Sequence, residues 1–222
     1  MLLAIDTSTS WISLALYDGT FICYELTWES PHHHTVELSP ALKQIFSQTG
    51  TDPEMLTGLA VATGPGSFTS LRIGLSTAKG FALALKLPIV GVPSLDIIAA
   101  SQPVEDLPMI AVLHAGRQRL AYAPYKAVGR LWEAQNEPAV IDPKELVKTI
   151  TEPTLICGEL SADARSIIGR RWKNAILASP AHSLRRAGFL AEIGWKKLME
   201  NQADDPRYLT PIYLSTTNPL PG

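Results

Sequence analysis

The sequence predicts an α/β protein of two subdomains, each with a mixed sheet that begins in a β-meander. Three apolar runs open the chain, and Asp18-Gly19 between the second and third is a strong hairpin signal. Helical and strand-like patterns then alternate to about residue 100. A Pro-rich acidic stretch at residues 102–108 precedes a second meander. We therefore expect an N-terminal subdomain at residues 1–103 and a C-terminal subdomain at residues 104–222, whose last residues can pack back on the first.

The first half is expected to be a three-stranded meander followed by alternating helices and strands. Asp18-Gly19 sets the meander, and short apolar runs of β-branched and aliphatic residues mark the later strands. The strands are expected at Leu2–Asp6, Ile12–Tyr17, Phe21–Thr27, Leu59–Thr63 and Pro88–Val92, and the helices at Leu38–Gln48, Thr69–Leu85 and Ser94–Ala100.

The first helix is indicated by apolar residues at positions i, i+3, i+4, i+7 and i+8. Pro40 fits the first turn of a helix capped by Ser39, or it lies inside a helix that begins nearer Thr35 and kinks it. The apolar face consists of Leu38, Ala41, Leu42, Ile45 and Phe46.

The stretch from Leu59 to Leu85 combines a strand, a glycine-rich turn and a long helix. Gly64 and Gly66 allow positive φ and a close approach of the backbone to another group, and Ser67 or Thr69 can cap the helix. The unpaired amides of a helix N-terminus favour an anion, so the geometry permits phosphate binding. Glycines that serve packing alone give the same pattern, and both interpretations stay open.

The helix from Thr69 to Leu85 carries small residues on the face beside its apolar stripe. Ser70, Gly74 and Thr77 lie there, with Gly80 further on. A glycine inside a helix costs roughly 1 kcal/mol relative to alanine, so something should compensate both glycines. The simplest compensation is a second helix in close contact, within the chain or in a partner.

The second half repeats the theme less clearly, with a meander, short helices and one long helix. Asp142 is a candidate N-cap for the first of these helices. The strands are expected at Met109–Leu113, Leu120–Tyr125, Leu131–Ala134 and Thr154–Cys157, the helices at Pro143–Ile150, Ser161–Gly169 and Ser183–Asn201, and an extended tail at Pro206–Leu214.

Composition and charge describe an ordinary soluble protein. A net charge of −2 lacks the strongly basic balance of a free-standing nucleic-acid binder. Cys23 and Cys157 lie in apolar runs without a C-x-x-C spacing, which predicts buried thiols in a reducing compartment. The opening residues meet Asp6 too soon for a signal peptide, and the longest apolar run, Phe81 to Val92, is too short for a membrane span. We expect a cytoplasmic protein.

Three segments resemble the bacterial TsaB (YeaZ) family: the opening LLAIDTSTSWISLALYD, the run GPGSFTSLRIGLSTAKGFALALKLPIVGVPSLDIIA at residues 64–99, and the tail YLTPIYL. Ser70 stands where the family usually has glycine. The segment His114-Ala115-Gly116-Arg117 replaces a family segment of the Asp-Ala-Arg-Arg type, so any role of that acidic residue does not carry over. The resemblance implies an actin- and sugar-kinase-like (ASKHA) fold, with two α/β subdomains around a cleft.

The resemblance also implies a function and partners. Members of the family are regarded as non-catalytic subunits that pair with the catalytic paralogue TsaD and the ATPase TsaE to install threonylcarbamoyl on the adenosine beside the anticodon of tRNA. It implies contact with tRNA only through the complex, no intrinsic cofactor, and ATP or ADP only within the complex.

The partner hypothesis places the interface on the two long helices of the first half, in a bundle with the matching helices of TsaD. A homodimer through the same face is an alternative when the partner is absent. The residues expected at or near this interface are Leu38, Leu42, Phe68, Ser70, Arg72, Gly74, Leu75 and Lys79.

The alternative function is a nucleotide-dependent small-molecule kinase of the same fold. It would place Asp6, Thr7, Gly64 and Gly66 around the phosphates. Thr7-Ser8-Thr9-Ser10 replaces the glycines that such kinases carry in the first hairpin, and each Cβ crowds a phosphate. Asp6 is open to two interpretations: a Mg²⁺-linked residue or a hydrogen-bonded residue at a strand end.

A metallopeptidase is the least expected function. The sequence lacks both H-x-x-x-H and H-E-x-x-H, the spacings that put two histidines on one helix face. The run His32-His33-His34 lies next to Pro31, where adjacent side chains diverge, and is expected to be solvated. We therefore predict no metal site and no catalytic residue.

Overall fold

Two mixed β-sheets organise the chain. The computed structural model describes residues 1–31, 33–171 and 173–214, so His32 of the histidine run lies outside the described residues. Both sheets begin in an antiparallel meander and continue with parallel strands. The predicted fold class is therefore confirmed.

The first sheet has the strand order β3-β2-β1-β4-β5. β1 pairs antiparallel with β2 and parallel with β4, because the helix between β3 and β4 returns the chain in the same direction. The strands are β1 (Leu2–Asp6), β2 (Trp11–Tyr17), β3 (Ile22–Glu29), β4 (Gly58–Gly64) and β5 (Ile89–Pro93), and the helices are α1 (His34–Thr49), α2 (Phe68–Leu85) and α3 (Ser94–Ala100), with a short 3-10 turn at Pro53–Met55.

The second sheet has the order β11-β10-β6-β7-β8, with β9 also paired to β7. Asp142 caps one of the helices in this half of the chain, as predicted. Its carboxylate accepts a hydrogen bond from the Lys144 amide at 2.8 Å. The strands are β6 (Met109–His114), β7 (Leu120–Val128), β8 (Leu131–Ala134), β9 (Ala139–Ile141), β10 (Thr154–Gly158) and β11 (Ala175–Leu177), and the helices are α4 (Pro143–Thr149), α5 (Ala162–Gly169) and α6 (Ala187–Met199), with a 3-10 turn at Pro180–Ser183.

Both faces of the first sheet are covered by helices. Side chains alternate along β1, so Leu3 and Ile5 face α1 and α2 while Leu2 and Ala4 face α6. Strands buried on both faces read as continuous apolar runs, which explains the pattern of the opening residues.

Helix α6 comes from the second half of the chain but packs on the first sheet. Gly194 lets the helix approach β4 closely, since a Cβ there would overlap the Ala60 side chain. The predicted helix at Ser183–Asn201 is shorter in the structure and begins at Ala187, after the 3-10 turn. The division of the chain near residue 103 stays a prediction.

Helix α1 follows one of the two predicted alternatives. It begins at His34, so Pro40 lies inside it with an exposed ring, and it ends at Gly50 in the left-handed conformation with φ 63°. Strands β9 and β11 were not predicted. Each has three residues, too few for a periodic pattern.

Candidate functional site

A buried ion network joins the two sheets, and two of its residues, Thr9 and Glu159, also line a cleft of about 810 Å³ between the two halves of the chain. Arg185, on the segment before α6, is 1% exposed and donates from Nε to the Asp6 carboxylate at 2.7 Å. Its Nη1 pairs with Glu159, which follows β10, and its Nη2 donates to Thr9 Oγ1 at 2.9 Å. Burial opposes the charge of Arg185, but the two carboxylates outweigh that effect and raise the pKa of the guanidinium above its ordinary value.

Asp6 is fully engaged within the chain. One carboxylate oxygen accepts from the Arg185 guanidinium and the other accepts from the Ser8 amide at 2.8 Å. Of the two interpretations of Asp6, the hydrogen-bonded residue at a strand end is the one observed.

Thr7 fills the space against α2 that the small residues of that helix leave. Its hydroxyl donates to the Ser70 carbonyl at 2.6 Å and accepts from the Gly74 amide at 3.2 Å. A Cβ on Gly74 would overlap this hydroxyl. Gly74 is therefore compensated by packing inside the chain, on the buried face of α2, and its place at or near a partner interface stays a prediction.

The glycine-rich turn also makes its close approach to the chain itself. Gly64 has φ 107°, and a Cβ there would crowd the Ile212 carbonyl, while a Cβ on Gly66 would overlap the Ser8 carbonyl. That Ser8 carbonyl accepts from the Ser67 amide at 2.7 Å. The turn thus makes the close packing contacts that the second interpretation expects, and phosphate binding stays a prediction.

The four residues proposed around a phosphate do lie together. Asp6 is held by Arg185, Thr7 by α2, and Gly64 and Gly66 are closed against neighbouring backbone. The Asp6 carboxylate and the Thr7 hydroxyl are thus both occupied by partners within the chain.

The described residues contain no group of three or more His, Cys, Asp or Glu side chains placed to hold a metal ion. His34 is buried, with Nε2 at 2.9 Å from the Thr9 carbonyl, whereas His33 is exposed. Cys157 is buried, and burial raises the pKa of its thiol to about 12. Cys23 is exposed on the edge strand β3, so the prediction of two buried thiols is wrong for it.

The residues predicted to contact a partner separate into two groups. Phe68 and Arg72 are exposed, and Ser70 and Lys79 are half-buried, so these four are accessible on α2. The other four are buried in the core between α1, α2 and the sheet, because helical spacing marks the core-facing stripe first, and their place at or near an interface stays a prediction. They are Leu38, Leu42, Gly74 and Leu75.

The outer faces of α1 and α2 enclose a shallow groove of about 620 Å³. Phe46 and Phe81 lie at its base, with ring centroids 6.2 Å apart, and Ser47 and Thr77 line it. Gly80 is exposed near this groove, and a Cβ there would have no atom within 4 Å. The chain itself therefore gives no packing reason for a glycine at position 80.

Sequence reasoning missed the three residues that tie the end of the chain to its beginning. Arg185 and Glu159 lie in loops of the second half, and their partners Asp6 and Thr9 are 179 and 150 positions away. Tyr213 stacks on Phe68 with ring centroids 4.9 Å apart and accepts from Arg72 Nε at 2.9 Å. A single arginine in a loop belongs to no sequence pattern that would predict its role. The tail motif YLTPIYL, which carries Tyr213, is recognisable in the sequence.

A second buried polar pair lies between α3 and β7. Tyr125 donates from its hydroxyl to the Asp96 carboxylate at 2.6 Å. Burial raises the pKa of Asp96, with the Tyr125 hydrogen bond and Lys197 opposing the shift. Burial and the neighbouring Asp96 raise the pKa of Tyr125. The pair links α3, which follows the last strand of the first sheet, to β7 of the second sheet.

The fold and the cleft between the two sheets define the class. Two mixed sheets, each a meander extended by parallel strands, form the actin- and sugar-kinase-like fold. A family model described as TsaD, tRNA N6-adenosine threonylcarbamoyltransferase, matches residues 29–181. Within that group the chain belongs to the TsaB (YeaZ) family, as the sequence resemblance predicted.

Individual relatives agree with this assignment. The TsaB protein of Bacillus subtilis is 29% identical over 217 residues, covering 96% of this chain and 93% of that protein. The TsaB protein of Escherichia coli is 34% identical over 148 residues, or 64% and 63% of the two chains. A Pseudomonas aeruginosa crystal structure, described as similar to peptidase YeaZ, is 22% identical with a TM-score of 0.80 over 96% of this chain and 99% of that one, which shows a shared fold.

No helix within the described part of the chain is both long and apolar enough to cross a membrane.

Proposed function

We propose that this chain is a non-catalytic subunit required for threonylcarbamoylation of the adenosine next to the anticodon of tRNA. Its relatives carry the name tRNA threonylcarbamoyladenosine biosynthesis protein TsaB, which supports the pathway. In this proposal the chain acts by binding the catalytic paralogue TsaD, with the ATPase TsaE as a further partner, and tRNA meets it through the complex.

The observation that carries the proposal is Gly80. This glycine lies within an 18-residue helix, where it costs roughly 1 kcal/mol relative to alanine. Gly74 is explained by Thr7, but the space around Gly80 is open. A helix of another subunit, in contact with α2 at this point, would use the close approach that a missing side chain allows.

The surroundings of Gly80 suit such a contact. The groove between α1 and α2 presents half-buried aromatic rings, and Leu83 one turn beyond is 69% exposed. Val36 on α1 is 65% exposed. Apolar side chains gathered around a groove are typical of a surface that a partner covers. The same face would pair two copies of the chain when the partner is absent.

A non-catalytic role agrees with the state of the cleft. The Asp6 carboxylate, which would be the candidate for a Mg²⁺-linked group, is neutralised by a buried arginine that also holds Glu159. We therefore propose that the chain has no intrinsic nucleotide and that ATP or ADP enters only with the assembled complex.

Reconstitution of tRNA modification from purified components tests the proposal. Omission of this chain should abolish product, and addition of wild-type chain should restore it. The variant Gly80→Trp should fold normally, since the site is open, yet lose binding to the catalytic subunit. Ala84→Trp, at an exposed residue one turn further along α2, is the near comparison. Thr20→Trp, at an exposed residue between β2 and β3, is the distant control and should leave binding unchanged. Normal modification with Gly80→Trp would refute this interface.

A further inference from the structure

The chain segment that follows α6 is fixed to strands β5 and β4 of the first sheet. Its Asp204 amide donates to the Ile89 carbonyl at 2.8 Å and its Asp204 carboxylate accepts from the Gly91 amide at 2.7 Å, so the segment closes the edge of β5. Further on, the Ile212 amide donates to the Thr63 carbonyl at 2.7 Å. Leu209 packs into the same core cluster as α2. The segment from Asp204 to Leu214 is therefore an ordered part of the first subdomain's surface.

This segment presents aromatic side chains to solvent beside α2. Tyr208 is 76% exposed and Tyr213 is 45% exposed, and Phe68 at the start of α2 is 54% exposed. The turn that holds Tyr208 lies near Lys79, whose charge acts on Asp205 of that turn. The tail thus runs alongside α2, from the level of Lys79 to that of Phe68.

Arginines lie over these rings. The Arg72 guanidinium is 3.9 Å from the Phe68 ring centroid, and the Arg207 guanidinium is 5.5 Å from the Tyr208 centroid. Arg72 is held further by its bond to Tyr213. Side chains restrained in this way lose little conformational entropy when a partner covers them. Tyrosine and arginine are the residue types enriched in the energetically dominant part of protein interfaces.

We propose that the tail residues Tyr208 and Tyr213, together with Phe68 and Arg72, form the strongest part of the surface that binds the catalytic subunit. This inference rests on the proposed function and extends it from the helix pair to a third element. The strip adjoins the solvent-exposed face of α2, because Phe68 and Arg72 are exposed residues of that helix.

Charge gives the chemistry of the partner surface. Arg72 and Lys79 form no ion pair with any carboxylate in the described part of the chain, whereas Arg207 is paired with Asp205. Two cations without a carboxylate in ion-pair contact, beside exposed rings, fit a protein surface with apolar side chains around one or two carboxylates.

Calorimetric titration of the full chain with the purified catalytic subunit tests the strip. Tyr208→Ala and Tyr213→Ala should each raise the Kd by about ten-fold or more. Phe21→Ala is the matched control, because Phe21 is 70% exposed at the hairpin on the opposite edge of the sheet, and its Kd should stay within about two-fold. Tyr213→Phe keeps the ring and loses the bond from Arg72, so most of the affinity should remain.

Thermal melting of each variant shows whether it is folded. Tyr208 is 76% exposed, so Tyr208→Ala keeps the test valid even if Tyr213→Ala unfolds. Unchanged affinity in folded Tyr208→Ala would overturn the inference. So would variants that lose only self-association in size-exclusion chromatography, or only binding to the ATPase. If Gly80→Trp abolishes binding and the tyrosine variants do not, the proposed function stands and this inference fails.

Discussion

The Arg185 guanidinium and the Asp6 carboxylate lie 2.7 Å apart, fully buried, although 179 positions separate the two residues in the chain. Through the same guanidinium the first strand is joined to Glu159 at the end of β10. Two carboxylates from different sheets therefore share one internal cation, and the cleft between the sheets is bridged by the chain's own side chains.

Removal of Arg185 should destabilise the protein severely. A buried ion pair that loses one partner leaves an uncompensated charge, which costs about 3–5 kcal/mol. Arg185→Met should lower the free energy of unfolding by that amount in urea denaturation at pH 7. Arg186→Met is the control, because Arg186 is half exposed where it pairs with Glu25, and its loss should cost about 1 kcal/mol or less. Equal effects of the two substitutions would show that the buried network contributes no special stability.

The isolated chain should not bind nucleotide. Asp6 is neutralised by Arg185, and Gly66 is closed against the Ser8 carbonyl, so a phosphate would have to displace existing contacts. Calorimetric titration with ATP and Mg²⁺ should give no heat of binding at millimolar ligand. A kinase of this fold would bind substrate at micromolar to millimolar concentration. Binding in that range by the chain alone would restore the kinase alternative.

Much of the fold could be predicted because its signals are local. Asp18-Gly19 fixes the hairpin between β2 and β3, and the spacing from Leu71 to Leu85 fixes the longest helix in the described part of the chain. The short strands β9 and β11 escaped prediction because three residues cannot show a period, and their pairing is decided by neighbours distant in sequence. The position of α6 could not be predicted for the same reason. Amphipathic spacing shows that a helix packs against something, but it does not show which sheet the helix covers.

The site was less predictable than the fold. An apolar stripe such as that of Leu38 and Leu75 indicates burial, and whether a chain's own core or a partner covers it is decided in three dimensions. Gly74 and Gly80 look alike in the sequence. Thr7 distinguishes them in the fold, because it contacts Gly74 and does not contact Gly80. Thr7 lies 67 positions before Gly74 in the chain, so the local sequence does not show this difference.

The stability of the protein should fall with rising pH through Asp96. Burial raises its pKa in the folded state, so the native protein holds this proton to higher pH than the unfolded chain does. The proton on Asp96 therefore stabilises the folded protein. This stabilisation is fully present below the unfolded pKa, near 3.8, and is lost as pH rises through the folded pKa. Asp96→Asn removes this contribution and keeps an acceptor for Tyr125.

Urea denaturation at several pH values from 4 to 7 measures the effect of Asp96. As the pH rises from 4 to 7, the free energy of unfolding of Asp96→Asn should increase relative to that of the wild type. Asp106→Asn, at an exposed aspartate, is the control and should follow the wild-type profile. A constant difference between Asp96→Asn and wild type across the range would contradict the raised pKa.

The two helical glycines should respond oppositely to alanine. A methyl at position 80 meets no neighbour, and alanine favours the helix over glycine by roughly 1 kcal/mol, so Gly80→Ala should stabilise the isolated chain by up to that amount. A methyl at position 74 overlaps the Thr7 hydroxyl, so Gly74→Ala should destabilise it by about 1–3 kcal/mol. Thr7→Ser in the Gly74→Ala background removes a methyl but keeps the overlapping hydroxyl, and should recover little. Thr7→Ala should recover more, because it removes the clashing oxygen at the cost of two hydrogen bonds. Chemical denaturation of the four variants measures these differences, and a destabilising Gly80→Ala would mean that the chain itself, and not a partner, requires glycine at that position.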